Sequence, residues 1–314
     1  MLRVADGGVA RVLSGTEHDA LTRIAQRGWP DPVQDPHGFW LAARRGADTV
    51  PASLAPSDPA GLVLLRGLPA DHDLPGTPSD SRRPPGSHSF LSELWLSVFG
   101  LLLGVPIAFP DQQGAALHQN VAPIPGSEHE ESDVGSSRPL RLHTENPFHA
   151  IAPDHVLLCC LRGDLRATVA TTLAPVSAVV AQLDTDARDR LRRPIFFERG
   201  TEGTRLAPVL GGPAHEPMFR FDAAWTTSAT ADGIAALHAL ASALPSVTQS
   251  VNLVPGDLLV IDNRRWLHGR GAFTAHPGST GRWLQRLYVC EQSALVDDAV
   301  ERGLLVRATV APLR

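Results

Sequence analysis

The chain has 314 residues, a formal net charge of -5 and 43% hydrophobic residues, and every one of its 28 strongly basic side chains is arginine. That length suits one large domain, and the mild acidity excludes the basic footprint expected of a nucleic-acid or anionic-membrane partner. Three cysteines, two of them adjacent, make no disulfide framework, and no apolar run or leader pattern marks a membrane span or export signal, so a cytoplasmic protein is expected.

Taken in order, Thr16-Glu17-His18-Asp19 followed by Leu21, Ile24 and Ala25 reads as a capped amphipathic helix stopped near Gly28. Three prolines between Asp31 and Pro36 demand a loop, and a second helix fits His37 to Arg45. Gly61 to Pro69 is an apolar run bounded by glycine and proline, hence a buried strand. Ala70 to Ser89 is polar and proline-rich, a long loop. Ser89 would cap a helix over Phe90 to Leu103, whose Leu91, Leu94, Trp95, Val98, Leu101 and Leu102 recur at helical spacing.

Phe109 to Pro123 has the pattern of a strand with a turn, and Gly126 to Arg138 is an acidic, polar loop placed to act as a lid. Next comes Leu140-Arg141-Leu142-His143-Thr144-Glu145-Asn146, in which alternation along a strand sends His143 and Glu145 to one side. His155 to Arg162 is a strand buried on both faces, with Cys159 and Cys160 pointing oppositely as core fillers. Asp164 to Arg166 would turn the chain into a strand over Thr168 to Leu173.

Pro175 to Leu183 suggests a helix and Asp184 to Arg193 a charged turn. Strands are expected at Ile195 to Glu198 and Met218 to Asp222, with Trp225 able to line an apolar pocket. Asp232 opens a helix that Pro245 should end, with His238 at its surface, and Val247 to Val254 is strand-like. The Pro255-Gly256 turn then opens the apolar run Asp257 to Asp262, after which comes His268. Two imidazoles and one carboxylate on one face would leave three positions open, the arrangement of non-haem Fe(II) oxygenases. Downstream, Arg282, Leu284, Arg286 and Tyr288 alternate, so two arginines share a face. Buried guanidinium groups need anions beside them.

The combination of His143-x-Glu145, Asp262-Asn263-Arg264-Arg265-Trp266-Leu267-His268-Gly269-Arg270 and Arg282-Trp283-Leu284-Gln285-Arg286 resembles the clavaminate synthase-like branch of the Fe(II)/2-oxoglutarate dioxygenases. The resemblance implies a single domain, mainly β with flanking helices, built on a double-stranded β-helix or jelly roll over about residues 61–290, with a helical part over about 1–60. It implies Fe(II) on His143, Glu145 and His268, O2 as oxidant, and 2-oxoglutarate reaching Arg282 and Thr171, with Thr172 the next match. A Gln or Glu before the glycine at 114 holds the substrate's amino group in related enzymes, which selects Gln113, with Gln112 one place away. Arg286 would fix the α-carboxylate of an amino acid and Asp222 would read its side chain. Arginine-using relatives carry D-x-D at this point; here the second place is Ala224, so the guanidinium fork loses one acceptor.

The expected activity is therefore hydroxylation, at the β-carbon, of a free L-amino acid or derivative. Desaturation or cyclisation uses the same ligands, and a carrier protein could present the substrate. Glu145 argues against a halogenase, which needs that position vacated. Two other classes compete. A zinc hydrolase could use the same three ligands but needs no arginine pair, and a non-catalytic jelly-roll binding protein would need no metal.

Overall fold

The structure is a computed structural model that describes residues 2–3, 9–56, 58–80, 90–164, 169–200, 203–275 and 281–308. Two sheets face one another. The larger runs in the order Val9–Val12, Leu62–Arg66, Leu258–Asp262, His155–Arg162, Trp283–Cys290, Val105–Ala108, Val306–Arg307, with Leu2–Arg3 at its first edge and Gln119–Val121 also pairing the Trp283–Cys290 strand. The smaller runs Gln249–Val251, Thr171–Pro175, Trp266–Arg270, Leu140–His143. Every described pairing is antiparallel except Val9–Val12 with Leu62–Arg66. This is the mainly β jelly roll with flanking helices that the motif resemblance implies.

Alternation along each strand builds three apolar layers. Between the sheets lie Leu62, Ile107, Val156, Leu158, Cys160, Leu259, Ile261, Trp266, Leu284 and Tyr288. Their strand neighbours Val63, Leu157, Cys159, Val260, Leu287 and Val289 point to the opposite face, where the helices Gly15–Ala25, Pro36–Ala47 and Leu91–Leu103 cover them. A third layer packs the outer face of the small sheet, through Ala174 and Leu267, against Val176–Gln182, Thr185–Leu191 and Ala231–Val247. Because both faces of the large sheet are covered, its central strands lack a polar alternation. Cys159 and Cys160 part into different layers, as their adjacency on a strand requires.

Several local expectations need correction. Ser14, not Thr16, caps the first helix, and Glu17 completes a capping box with it. The expected cap Ser89 lies outside the described residues, as does most of the turn at Asp164 to Arg166. Of Phe109 to Pro123 only Gln119–Val121 is strand; Gln113–Ala115 forms one tight helical turn with left-handed backbone at all three residues. Thr185–Leu191 is a helix rather than a charged turn, because Asp184 accepts a hydrogen bond from the Ala187 amide. Pro245 falls inside the helix Ala231–Val247. A proline forfeits only its own amide bond and disturbs the turn before it, so two more residues can follow. Trp225 is 63% exposed and lines no described pocket. The N-terminal strand Val9–Val12 is short enough to have escaped sequence periodicity.

The Pro255-Gly256 turn sets the register of the strand that leads to Asn263 and His268. Gly256 has φ +83, and a Cβ there would sit 2.6 Å from the Leu68 carbonyl oxygen. Gly256→Ala is expected to cost about 1–3 kcal/mol, read as a lowered midpoint in thermal or urea unfolding.

Candidate metal centre

The three expected ligands converge. His143 ends the strand Leu140–His143 and lies directly across an antiparallel pair from His268 in Trp266–Arg270. Residues so paired project to the same face, and the two imidazole centroids are 4.5 Å apart. Glu145 follows just beyond the strand, its backbone fixed by Asn263: the Glu145 amide donates to Asn263 Oδ1 at 2.6 Å, and Asn263 Nδ2 donates to the Glu145 carbonyl at 3.0 Å. Glu145 Oε1 lies 3.8 Å from His143 Nε2 and 3.3 Å from His268 Nε2. One ligand atom from each residue falls within 4.8 Å of the others.

Hydrogen bonding prepares these groups for a cation. His143 Nδ1 lies 2.8 Å from the Arg141 carbonyl, which places the proton on Nδ1 and leaves Nε2 with a free lone pair. Burial alone would push the Glu145 carboxyl up, but the Arg286 charge and the two neighbouring imidazoles outweigh it and hold the group well below the usual carboxylate range. Glu145 is thus anionic, as a metal ligand must be. Burial resists protonation of both histidines; Glu145 nevertheless raises the His143 pKa, while burial and the neighbouring His143 lower that of His268. Tyr288 donates to Glu145 Oε2 at 2.9 Å, and burial keeps its phenol protonated. Two imidazole nitrogens and one carboxylate oxygen, presented together and otherwise surrounded by protein, fit a divalent iron.

The two expected arginines are both 8% exposed. Arg286 donates through Nε and Nη2 to Gln119 Oε1, through Nη1 to Glu145 Oε1 at 2.9 Å, and through Nη2 to Asp133 Oδ2 at 3.1 Å. Arg282 has no hydrogen bond or ion pair with any described residue, and burial pushes its pKa down. A buried guanidinium of this kind calls for an anion from outside the chain.

The remaining expected residues are placed less uniformly. Thr171 is buried and directly opposite Arg270 across the pair of strands, while Thr172 lies opposite Gly269. Thr171 therefore shares the face of His268, and Thr172 the other face. Asp222 bridges backbone to backbone with His143; one carboxylate oxygen accepts from the Ala224 amide at 2.6 Å, and burial raises its pKa against the opposing charge of His143. Gln113 spends its amide on Asn120, donating to the carbonyl at 2.9 Å and accepting from the amide at 3.0 Å. Gln112 donates to Asn146 Oδ1 at 2.6 Å, beside Glu145. Residues the sequence reading passed over are Asn263, Tyr288, Gln119 and Asp133. Asn263 lay inside a quoted motif and Tyr288 on the alternating strand that carries the arginines, whereas nothing in the acidic run marked Asp133 out from Glu128, Glu130 or Glu131.

Facing sheets with two histidines and a glutamate at their mouth, and a buried arginine that pairs with no described residue, define the jelly-roll non-haem iron oxygenases that use a 2-oxo acid. The chain belongs to the TauD/TfdA dioxygenase family, whose model, described as taurine catabolism dioxygenase TauD, TfdA family, matches residues 92–288. It is similar to the L-asparagine oxygenase of Streptomyces coelicolor, 35% identical over 83% of this chain and 82% of that protein. Clavaminate synthase 2 of Streptomyces clavuligerus is 31% identical over 86% of this chain and 89% of its own length, which places the chain in the clavaminate synthase-like branch. A crystal structure of asparagine oxygenase with Fe(II), 2S,3S-3-hydroxyasparagine and succinate superposes with a TM-score of 0.80 at 32% identity, covering 90% of this chain and 93% of that one. Among the described residues no helix is long and apolar enough to cross a membrane.

Tyr288 touches the ligand carboxylate without being a ligand. Tyr288→Phe is expected to weaken Fe(II) binding roughly 10- to 100-fold while leaving the fold intact, measured by metal titration alongside a melting curve.

Proposed function

We propose that this enzyme hydroxylates the β-carbon of a free L-amino acid, with Fe(II) held by His143, Glu145 and His268 and 2-oxoglutarate as cosubstrate. The observation that carries this reading is Arg282, a buried guanidinium just before the strand that carries Arg286, which makes no hydrogen bond or ion pair with any described residue and feels an opposing charge only from the more distant Asp164. A zinc hydrolase has no use for it, and the distal carboxylate of 2-oxoglutarate supplies the missing anion, with Thr171 donating from the same wall. The oxidising power is supplied by Fe(II), O2 and 2-oxoglutarate when bound, with succinate and carbon dioxide as coproducts. The chain's own residues orient, exclude water and keep competing hydrogen donors away.

Arg286 would take the substrate α-carboxylate, placing Cα and Cβ toward the metal ligands and the side chain toward Asp222. Gln113 would accept the amino group by giving up one of its bonds to Asn120. A carboxylate receptor supports a free amino acid over a carrier-tethered one, since a thioester has no carboxylate to offer. The named activities of relatives point the same way: L-lysine 3-hydroxylase from Catenulispora acidiphila and enduracididine beta-hydroxylase from Streptomyces hygroscopicus both oxidise amino acids. Three free, buried cysteines suit a reducing cytoplasm.

Kinetics of two variants test the assignment. Arg282→Ala should raise the KM for 2-oxoglutarate by roughly 10- to 100-fold and leave that for the amino acid nearly unchanged. Arg286→Lys, which keeps a charge beside Glu145 but loses the fork, should do the opposite when assayed at saturating Fe(II). Equal effects of either variant on both KM values would refute the division of labour, and turnover without oxygen or 2-oxoglutarate would refute the oxygenase.

A further inference from the structure

Arg270 is 6% exposed and lies two residues beyond His268 on the same strand, so both side chains project toward the same face. Its cross-strand partner is Thr171, on that same face. Its guanidinium donates to the carbonyls of Gly135 and Arg138, the latter at 3.0 Å, and packs 5.0 Å from the Phe273 ring centroid. Its Nε is buried with no partner. Neutral carbonyls satisfy hydrogen bonds without neutralising the charge, and no described carboxylate forms an ion pair with Arg270; the opposing charge of Asp133 acts only from a distance. Arg270 and Arg282 are close enough for their charges to repel one another. Both chain segments also border one cavity of about 690 Å³, through Ala272 and Phe273 after Arg270 and Gly281 before Arg282. Two buried guanidinium groups that make no ion pair with a described carboxylate form a receptor for an external anion.

We infer that Arg270 is a second cationic contact for the distal carboxylate of the cosubstrate, binding it together with Arg282. The inference rests on the proposed 2-oxoglutarate reading. It assigns Arg270 two tasks: one donor on the cosubstrate, and two on the loop that carries Gly135 and Arg138. Selectivity for a 2-oxo acid bearing a second carboxylate then depends on both arginines, and loss of either should be felt only by acids that carry that group.

The test compares equilibrium binding of 2-oxoglutarate and 2-oxopentanoate, which has a methyl group where the distal carboxylate would be, to Fe(II)-loaded protein without oxygen, by calorimetry. Succinate protection of the metal-free protein against thermal unfolding gives a second readout. Arg270→Gln is expected to weaken 2-oxoglutarate roughly 10- to 100-fold, to leave 2-oxopentanoate nearly unchanged and to abolish succinate protection. Arg270→Lys, which keeps the charge should the first variant not fold, is expected to show a smaller loss, again confined to 2-oxoglutarate. A loss shared equally by both acids, or no loss in either variant, overturns the inference. Arg282→Ala serves as the reference. If it too fails to distinguish the two acids, the 2-oxoglutarate reading itself falls; if it distinguishes them and the Arg270 variants do not, only Arg270 is misassigned.

Discussion

A carboxylate held ionised in the interior is the constraint on which this structure turns. Glu145 sits between the sheets' ends, 8% exposed. Left alone, burial would neutralise it and it would cease to be a metal ligand. Arg286 on the large sheet, 2.9 Å away, prevents this, and Tyr288 on the same strand supplies a second donor to the other oxygen. The ligands His143 and His268 come from the small sheet. The ion pair therefore spans the sandwich and ties the ligand-bearing wall to the arginine-bearing wall. Removing one partner of such a pair leaves the other charged and buried, which is more costly than never having had the pair.

The supports of Glu145 are backbone as much as side chain. Asn263 closes on both backbone groups of Glu145 and donates as well to the Pro153 carbonyl at 2.9 Å. Asn263 itself follows directly on the strand Leu258–Asp262, whose register is set against both Leu62–Arg66 and His155–Arg162. A shift of one residue there would exchange the strand's two buried faces between layers shaped for the other set and would carry Asn263 away from Glu145. The positions of the glutamate and of His268 are thus two readings of one strand register, although more than a hundred residues of chain separate them in sequence.

That coupling explains what could and could not be read from the sequence. The metal ligands were legible because strand alternation is a local rule and because His143-x-Glu145 and the run from Asp262 to Arg270 are contiguous. The central strands were legible as unbroken apolar runs, since both faces are covered. What stayed hidden depends on contacts remote in sequence. Nothing around Asp133 marks it as the acid that reaches Arg286, because its neighbours are equally acidic and the choice is made by loop geometry. Thr171 and Thr172 are indistinguishable in sequence, and only the pairing with Arg270 and Gly269 separates their faces. The short helix at Thr185–Leu191 was obscured by charge, since its apolar contribution is confined to Ala187 and Leu191.

The donor count of Arg286 suggests an order for assembling the site. A guanidinium has five N–H donors. Gln119 takes two of its hydrogen bonds, Glu145 one and Asp133 one, so a single donor is left before any ligand arrives. A planar carboxylate is held best by two parallel donors, and that fork is incomplete while Glu145 Oε1 occupies Nη1. A cation held by the two imidazoles and Glu145 would draw on the same oxygen and relax its hold on the arginine. Under the proposed reading, the metal is therefore a precondition for the amino acid's carboxylate to find a complete fork, and Arg286 changes from counter-ion of the empty ligand set to receptor for the substrate. On the same reading Arg282 needs no such release, since it makes no hydrogen bond or ion pair with any described residue, and the cosubstrate's receptor would be ready once the protein has folded.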